Sequence, residues 1–318
     1  MPNKKWSKFV IISLLTLLAI GGEWYFFQVR KLSSANRPTN PLSQASNVPA
    51  IFRGLTNRFK PPPPETEVTK KPDWQKLQSD IGSITTQHDG TVGVFVKDLV
   101  TGDFAGYDTD RVFYAASLNK VPLIIGTLRA VDEGNLSLDQ ELIYLQKDNE
   151  EGSGTIILSP TGTSFSLEEV VTRAANQSDN AAKNMLFRYV PYSYINQVLI
   201  TAKTTATNLQ KNESTPQEVA AFFALVYQTD YLNPQSREIF FSILTNTVFE
   251  ERLPQPLPQE IQVAHKIGSW PDTNSYHDCG IVFTTNPYVI CVMTEDTSYD
   301  TAVEIIRQIS LVTFEALK

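Results

Sequence analysis

Hydrophobic positions repeat with two different periods in the part of the chain that follows a proline-rich stretch. Val92, Val94 and Val96 alternate with their neighbours, which predicts a strand, and the Thr-Gly-Asp turn at 101–103 favours a returning strand over 104–107. A helix is predicted at the end of the chain, over 299–317, where apolar residues fall at helical spacing: Ala302, Ile305, Ile306, Ile309 and Val312.

The same two periods extend through the region between these elements. Further helices are predicted at 73–87, from Ser117 to just before Gly134, and at 166–175, 180–189 and 216–228. Further strands are predicted at 261–268, 279–284 and 288–294. Because strands lie at both ends with helices between them, the pattern favours one sheet interrupted by a helical insertion.

The N-terminus has the pattern of a membrane signal. An apolar run from Phe9 to Gly21 follows three lysines, and aromatic residues continue it to Phe27. About 20 residues of helix span a bilayer, and the lysines would stay in the cytoplasm. The sequence predicts an anchor at 1–31 with the remainder outside the cytoplasm. A cleaved signal peptide, for which Ala19 and Gly21 are suitably small, is the alternative and exports the same remainder.

A linker is predicted between this anchor and the folded part of the chain. Residues 32–72 are rich in Ser, Asn, Pro and Lys and contain four consecutive prolines at 61–64. Proline fixes φ and cannot donate a backbone hydrogen bond, so the stretch favours an extended conformation. The folded domain is therefore expected to occupy residues 73–318.

Charge and composition narrow the class of protein. The formal net charge is -7 and no basic stripe offsets it, so no nucleic-acid partner is expected. The sequence has no His-Glu-x-x-His run, so a zinc hydrolase has little support. Neither a metal nor another cofactor is expected. His265 and His277 have no evident acid partner and are interpreted as structural. Cys279 and Cys291 flank a predicted turn at 285–287, so they form either a disulfide or two buried thiols.

The first candidate site is the run of four residues from Ser117 to Lys120. Positions three apart share one side of a helix, so the hydroxyl and the amine can meet. Free N–H groups at a helix start favour negative charge beside the serine, and a desolvated amine can act as its base. Taken alone, the same spacing also fits an N-cap serine with a solvated lysine.

Two further short motifs follow along the chain. A Ser-Asp-Asn motif at 178–180 precedes a predicted helix, where all three residue types are also common caps. A Lys-Ile-Gly-Ser motif at 266–269 lies on a predicted strand, where the lysine alone would be interpreted as a solvated edge residue. Neither motif identifies a function by itself.

Together, in this order and on these elements, the three motifs resemble the S-x-x-K, S-D-N and K-T-G motifs of the class A β-lactamase and penicillin-binding superfamily. The resemblance covers about residues 75–318 and is strongest at 114–123 and 177–182. It implies a β-lactamase-like α/β (α+β) fold. Such a fold has an antiparallel sheet flanked by N- and C-terminal helices plus an all-helical subdomain, here after an N-terminal membrane helix.

The resemblance also implies roles for individual residues. Ser117 would attack a carbonyl and form an acyl-enzyme, and Lys120 would accept its proton directly or through water. Ser178 would relay a proton to the leaving nitrogen. Asn180 would bind the amide of the substrate side chain, while Asp179 would hold the turn.

The third motif has implied roles in substrate binding. Lys266 would supply positive charge for the substrate carboxylate and would tune Ser178. The backbone N–H groups of Ser117 and Ser269 would form an oxyanion hole, with Gly268 beside them in the substrate-binding set.

The sequence departs from the family pattern at two places. Ile267 stands where the family has a hydroxyl residue, so weaker carboxylate binding is expected. The segment between Asn180 and Pro216 is shorter than in class A β-lactamases, where it carries the glutamate that activates the deacylating water. Counting back from Pro216 places Leu199 at that position. Matching the start of the loop places Glu213 there, either as a weak candidate base or as a solvated surface residue.

Three functions are compatible with these features in a membrane-anchored, extracytoplasmic protein. The first is a serine hydrolase that acts on β-lactams or D-Ala-D-Ala-like peptides through a Ser117 acyl-enzyme. The second is a penicillin-binding D,D-peptidase that deacylates slowly and acts on peptidoglycan stem peptides. The third is a non-catalytic cell-wall-binding domain, although such a module would not need the complete set of motif residues.

Overall fold

A computed structural model describes residues 71–318. The predicted anchor at 1–31 and nearly all of the predicted linker at 32–72 lie outside the described residues. Within the described part, no helix is long and apolar enough to cross a bilayer. The first helix of the described residues begins at Trp74, after Asp73, whose carboxylate caps it by accepting a hydrogen bond from a first-turn amide.

Eight helices and nine strands make up the described part of the chain. The helices are α1 (Trp74–Thr86), α2 (Lys120–Asp132), α3 (Leu167–Asn176), α4 (Asn180–Tyr189), α5 (Tyr192–Thr201), α6 (Pro216–Gln228), α7 (Pro234–Thr245) and α8 (Tyr299–Leu317). The strands are β1 (Thr91–Asp98), β2 (Phe104–Tyr107), β3 (Phe113–Tyr114), β4 (Glu141–Ile143), β5 (Ser164–Ser166), β6 (Glu213–Ser214), β7 (Gln262–Trp270), β8 (Ser275–Phe283) and β9 (Tyr288–Glu295).

The central sheet has five antiparallel strands in the order β2-β1-β9-β8-β7. Alternate residues of a strand face opposite sides, so Val92, Val94 and Val96 on β1 point to one face. There they pack into an apolar cluster with α1 and α8, which supply Leu77 and Ile305 among others. The two terminal helices therefore cover one face of the sheet.

The other face of the sheet carries the helical part of the domain. There α6 packs on β9 and β1, and α7 packs on β7. The central helix is α2, which contacts α3, α4, α5, α6 and α7, and nearly all of its residues from Lys120 to Ala130 are buried. A helix that is apolar on all sides is typical of a buried position. This arrangement confirms the predicted antiparallel sheet with terminal helices and a helical insertion.

The turn at Ser117 differs from the predicted continuous helix. Ser117 lies on a 3-10 turn, Ala116–Asn119, and α2 begins only at Lys120. Ala116 has a left-handed φ of 49°, a conformation that an α-helix cannot include. Because a 3-10 helix repeats every three residues, Ser117 and Lys120 still lie on the same side of the turn.

Three other details go beyond the sequence prediction. The periodicity did not predict α5 or α7. Strand β7 extends through Trp270, so it carries Ser269. His265 has an acid partner after all: its Nδ1 lies 2.8 Å from Asp278 Oδ1, and both side chains are fully buried. The two residues come from neighbouring strands, so only the register of β7 against β8 brings them together.

The two cysteines form a disulfide that joins β8 to β9. Cys279 and Cys291 face each other in the strand register. Lys266 on β7 is the register partner of Cys279 on its other side. The disulfide therefore ties together the strands that support the third motif.

Reduction of this disulfide is expected to lower the free energy of unfolding by about 3 kcal/mol, because the bond closes a loop and constrains the unfolded chain. Urea unfolding with and without reductant measures the change. The Cys279→Ala/Cys291→Ala variant is the control, since reductant should leave its midpoint unchanged. Equal stability of the oxidised and the fully reduced native chain would contradict the expectation.

Candidate active site

The segment before the candidate nucleophile is fixed by hydrogen bonds to three other parts of the domain. The Tyr114 N–H donates to the Glu295 carboxylate at 2.5 Å, and the Tyr114 carbonyl accepts from the ring of His277 at 2.8 Å. The next amide, that of Ala115, donates to the Asn212 carbonyl at 2.7 Å. The backbone therefore enters the 3-10 turn in one defined position.

His277 is held in one tautomer by its two hydrogen bonds. Its Nδ1 accepts from the Thr294 N–H at 3.1 Å, so Nε2 carries the proton and donates it to the Tyr114 carbonyl. Burial lowers the pKa of His277 to about 4, so the ring is neutral at pH 7. His277 is thus a neutral structural link between β8 and the nucleophile turn.

Two buried amines converge on the hydroxyl of Ser178. Lys266 Nζ lies 2.9 Å and Lys120 Nζ lies 3.2 Å from Ser178 Oγ. Lys120 also donates to the Ser178 carbonyl and, at 2.8 Å, to Asn180 Oδ1. Lys120, Ser178 and Lys266 are each at most 2% exposed. The fold therefore brings together residues from all three predicted motifs.

Both amines bind a proton more weakly than a lysine in water does. Burial lowers the pKa of Lys120 well below its ordinary value, and the positive charges of Lys266 and Lys183 lower it further. Burial also lowers the pKa of Lys266 to about 7, where Asp278 opposes the change and Arg252 adds to it. The lowered pKa makes Lys120 a better candidate for a neutral base than a lysine in water, and Lys266 is partly charged at pH 7.

Asp179 holds the turn of the second motif, as expected. Its Oδ1 accepts from the Ala182 N–H at 2.8 Å and so caps α4. Its Oδ2 accepts from the N–H groups of Thr155 and Ile156 at 2.7 and 2.9 Å. These bonds fix the start of α4 against the preceding loop.

The Asn180 side chain lies between Lys120 and that loop. Its Oδ1 accepts from Lys120, and its Nδ2 donates to the Glu151 carbonyl at 2.8 Å. A Cβ on Gly152 would come within 2.9 Å of this Nδ2, so glycine allows the loop to approach. An amide nitrogen has two hydrogens, so one remains for a ligand.

Strand β7 approaches the nucleophile turn so closely that a side chain at Gly268 does not fit. A Cβ there would lie 2.9 Å from the Ala115 carbonyl oxygen and 2.8 Å from the His277 ring. Next to it, Ser269 Oγ accepts a hydrogen bond from the buried guanidinium of Arg252 at 2.6 Å. This bond leaves the Ser269 O–H free to donate and places a positive charge beside it.

A cleft of about 500 Å³ opens in front of these residues. Ser117, Lys120, Asn180 and Ser269 line it, so four of the predicted residues share one surface. A cleft of this volume is typical of small-molecule sites. It supplies a hydroxyl nucleophile, a buried base and hydrogen-bond donors, which suit acyl transfer.

The short loop contributes residues that the sequence did not single out. Leu209 and Asn212 line the cleft. Glu213 lies on β6, where it pairs with Tyr114, and Leu199 lies on α5. Neither of the two positions considered for a deacylation base is among the described residues that line the cleft.

Sequence reasoning also missed Arg252 and Glu150. Arg252 stands in an irregular segment before β7, where no motif marks it. Glu150 lines the cleft and forms an ion pair with Lys183 at 2.7 Å. Its position in the loop before the second motif was the one available signal. Within residues 71–318, no group of three or more His, Cys, Asp or Glu could hold a metal ion.

Sequence comparison places these residues in a known family. The model of the Beta-lactamase enzyme family matches residues 76–317. Beta-lactamase SME-1 of Serratia marcescens is 24% identical over 245 residues, which cover 71% of this chain and 81% of that protein. A β-lactamase of Bacillus licheniformis is 25% identical over 261 residues, which cover 74% and 82% respectively.

Solved structures agree with the sequence match. PBP-A is 27% identical with a TM-score of 0.70 and covers 80% of this chain and 98% of its own. A β-lactamase of Sphaerobacter thermophilus is 25% identical with a TM-score of 0.71, covering 77% and 97%. A further structure is an acyl-enzyme complex of a PBP-A variant with penicillin G. Because the family match spans nearly all of the described domain and the fold agrees, this chain belongs to the β-lactamase enzyme family, within the superfamily of serine β-lactamases and penicillin-binding proteins.

Proposed function

We propose that this chain is a serine hydrolase that is acylated at Ser117 by β-lactams or D-Ala-D-Ala-like peptides and releases the acyl group slowly, as a penicillin-binding D,D-peptidase does. The observation that carries this proposal is the convergence of Lys120 and Lys266 on Ser178, beside the Ser117 turn. A neutral amine near a serine activates it as a nucleophile. A non-catalytic binding domain would gain nothing from burying two amines there.

The acylation step follows from this arrangement. Ser117 Oγ attacks the substrate carbonyl carbon, and neutral Lys120 accepts the hydroxyl proton directly or through a water. The backbone N–H groups of Ser117 and Ser269 stabilise the oxyanion, each by about 3 kcal/mol. Ser178 then gives its proton to the leaving nitrogen and regains one from Lys120, whose Nζ is 3.2 Å away. The C–N bond breaks, and the acyl ester on Ser117 remains.

The substrate carboxylate is proposed to bind at the Ser269 end of the cleft. Lys266 and Arg252 supply positive charge there, and the Ser269 hydroxyl is free to donate. Ile267 is buried and offers no hydroxyl. Arg252 offsets part of this loss, because its positive charge lies behind Ser269 at the end of the strand.

Slow deacylation is proposed because Leu209 occupies the wall where the short loop meets the cleft. Hydrolysis of the ester needs a base aimed at a water, and an alkyl side chain cannot serve. PBP-A is 27% identical to this chain and a β-lactamase of Sphaerobacter thermophilus is 25% identical, so the Leu209 side chain, not the similarity, carries this choice. The acyl-enzyme of the PBP-A variant with penicillin G supports the covalent step.

The domain is further proposed to lie outside the cytoplasm, tethered through residues 1–31. The apolar N-terminal run behind lysines supports this location. The Cys279–Cys291 disulfide also supports it, since disulfides persist in oxidising compartments. Peptidoglycan stem peptides are available there.

A fluorescent penicillin is expected to label the protein once, at Ser117, and the adduct should last for hours by intact-protein mass spectrometry. The Ser117→Ala variant should remain unlabelled, because it lacks the nucleophile. Ser193→Ala, at an exposed serine on α5, is the matched control and should label normally. No adduct on the native chain would refute the proposal and favour a non-catalytic cell-wall-binding domain.

The second-order acylation rate is expected to rise with pH as Lys120 loses its proton and to fall above about pH 7, where Lys266 loses its charge. Stopped-flow measurements from pH 5 to 9 with a carboxylated β-lactam test both limbs. In Lys266→Arg the guanidinium stays charged, so the falling limb should disappear. A native rate that stays level from pH 7 to 9 would argue against this role of Lys266.

Leu209→Glu is expected to shorten the lifetime of the penicillin adduct by about tenfold or more, because it places a carboxylate on the cleft wall. Leu209→Gln is the control, since it has nearly the same shape as glutamate without the base. Decay is followed by mass spectrometry after excess penicillin has been removed. If both variants deacylate at the native rate, the identity of this side chain does not explain the slow step.

A further inference from the structure

The cleft has opposite charge at its two ends. The guanidinium of Arg252 lies behind the Ser269 end, 2.6 Å from Ser269 Oγ. The two carboxylates that line the cleft, Glu150 and Glu151, lie at the Asn180 end. Asn180 Nδ2 donates to the Glu151 carbonyl, which fixes this loop beside the amide. A substrate with the complementary arrangement carries a carboxylate at one end and a cation at the other.

Glu150 is a fixed, ionised group at that end. Both of its carboxylate oxygens lie 2.7 Å from Lys183 Nζ, and Oε2 also accepts from Asn184 Nδ2 at 2.9 Å. Burial would raise the pKa of Glu150, but the hydrogen bonds from Lys183 and Asn184 outweigh it, so the pKa lies below its ordinary value. Its side chain is still 38% exposed, and each oxygen retains a lone pair that a ligand can use.

The positive charge of Lys183 offsets the charge of one of the two carboxylates, Glu150 and Glu151. The Asn180 end therefore keeps a surplus of one negative charge. Glu151 is exposed. Phe187 follows Lys183 by four positions on α4, so it lies on the same side of the helix, and it also lines the cleft. The Asn180 end thus combines an apolar wall, which can hold methylene groups, with a surplus of negative charge.

We propose that Glu150, with Glu151 beside it, forms a subsite that selects acyl groups whose side chain ends in an ammonium group, and that Lys183 weakens this preference by offsetting part of the negative charge. The inference rests on the proposed function, because an acyl group reaches this end only when its amide lies at Asn180 and its carbonyl at Ser117. A diamino acid in a peptide stem and an amine-bearing β-lactam side chain share this chemistry.

Two penicillins with one nucleus test the subsite. One carries an α-aminoadipoyl side chain, and the other carries an adipoyl side chain that differs only by the missing amine. The aminoadipoyl compound is expected to acylate Ser117 about three to five times faster, which is the size of an exposed ion pair. Because the scissile bond is the same, effects on Lys120 and on the chemistry cancel in the ratio of the two rates.

Variants of the ion pair should move this ratio in opposite directions. Glu150→Gln should bring it to about one, since the attracting charge is lost. Lys183→Met should raise it, since Glu150 is no longer neutralised. Glu260→Gln, at an exposed residue far along the chain, is the control and should leave the ratio unchanged.

The outcomes separate this inference from the proposed function. If neither penicillin labels Ser117, the proposed function fails and the subsite fails with it. If both label Ser117 at equal rates, or if Glu150→Gln and Lys183→Met keep the native ratio, only the subsite is overturned. The two variants have opposite expected signs, so a fold defect in one does not imitate the expected pattern.

Discussion

The burial of two amines around one hydroxyl is the constraint on which the rest of this domain depends. A charged ammonium that is removed from water without a full set of partners costs several kcal/mol, so the protein stabilises the neutral form. Lys120 is buried because it is the first residue of α2, the helix that α3, α4, α5, α6 and α7 surround. The same packing that makes α2 the core of the helical part therefore also lowers the pKa of the amine at its first residue.

Two residues near these amines have a strained backbone, and neighbouring hydrogen bonds hold each of them in place. Ala116 and Ser178 both have left-handed φ values, 49° and 55°, which cost a residue with a side chain about 1–3 kcal/mol. Each lies beside a hydrogen-bonded anchor: the carbonyl held by neutral His277 for the first, and the cap formed by Asp179 for the second. The sheet, the turn and α4 are thus fixed relative to one another in the free protein.

Elements with one apolar face were predictable from the sequence, because burial on a single side leaves a period in the chain. This holds for α1 and α8, whereas the central strands are covered on both faces and stand out in the sequence as short, nearly continuous apolar runs. The helix α5 contains Ile, Val and Thr, which weaken a helical signal, and α7 offered only Asn233 as its cap and Pro234 at its first position. The three short motifs were enough to predict which polar residues the fold brings together: Ser117, Lys120, Ser178, Asn180 and Lys266.

The features that the sequence did not predict depend on contacts between distant segments. No local sequence motif surrounds Arg252, and it reaches Ser269 only because its irregular segment packs against β7. Spacing placed either Leu199 or Glu213 at the position of the deacylation base, whereas the residue of the short loop that faces the cleft is Leu209. The pairing of His265 with Asp278 required the register of two strands. Each of these features is a tertiary contact without a periodic signature.

The proposed acylation of Ser117 requires that burial keep the Lys120 amine neutral at pH 7. An NMR titration of the protein with ¹³C-labelled lysine side chains measures this pKa directly, and the Lys120→Arg variant assigns the signal by its disappearance. The Lys120 signal is expected to titrate far below the ordinary lysine value of about 10.4. A signal that titrates near that ordinary value would contradict the proposed role, because the amine would then be protonated at neutral pH and unable to activate Ser117.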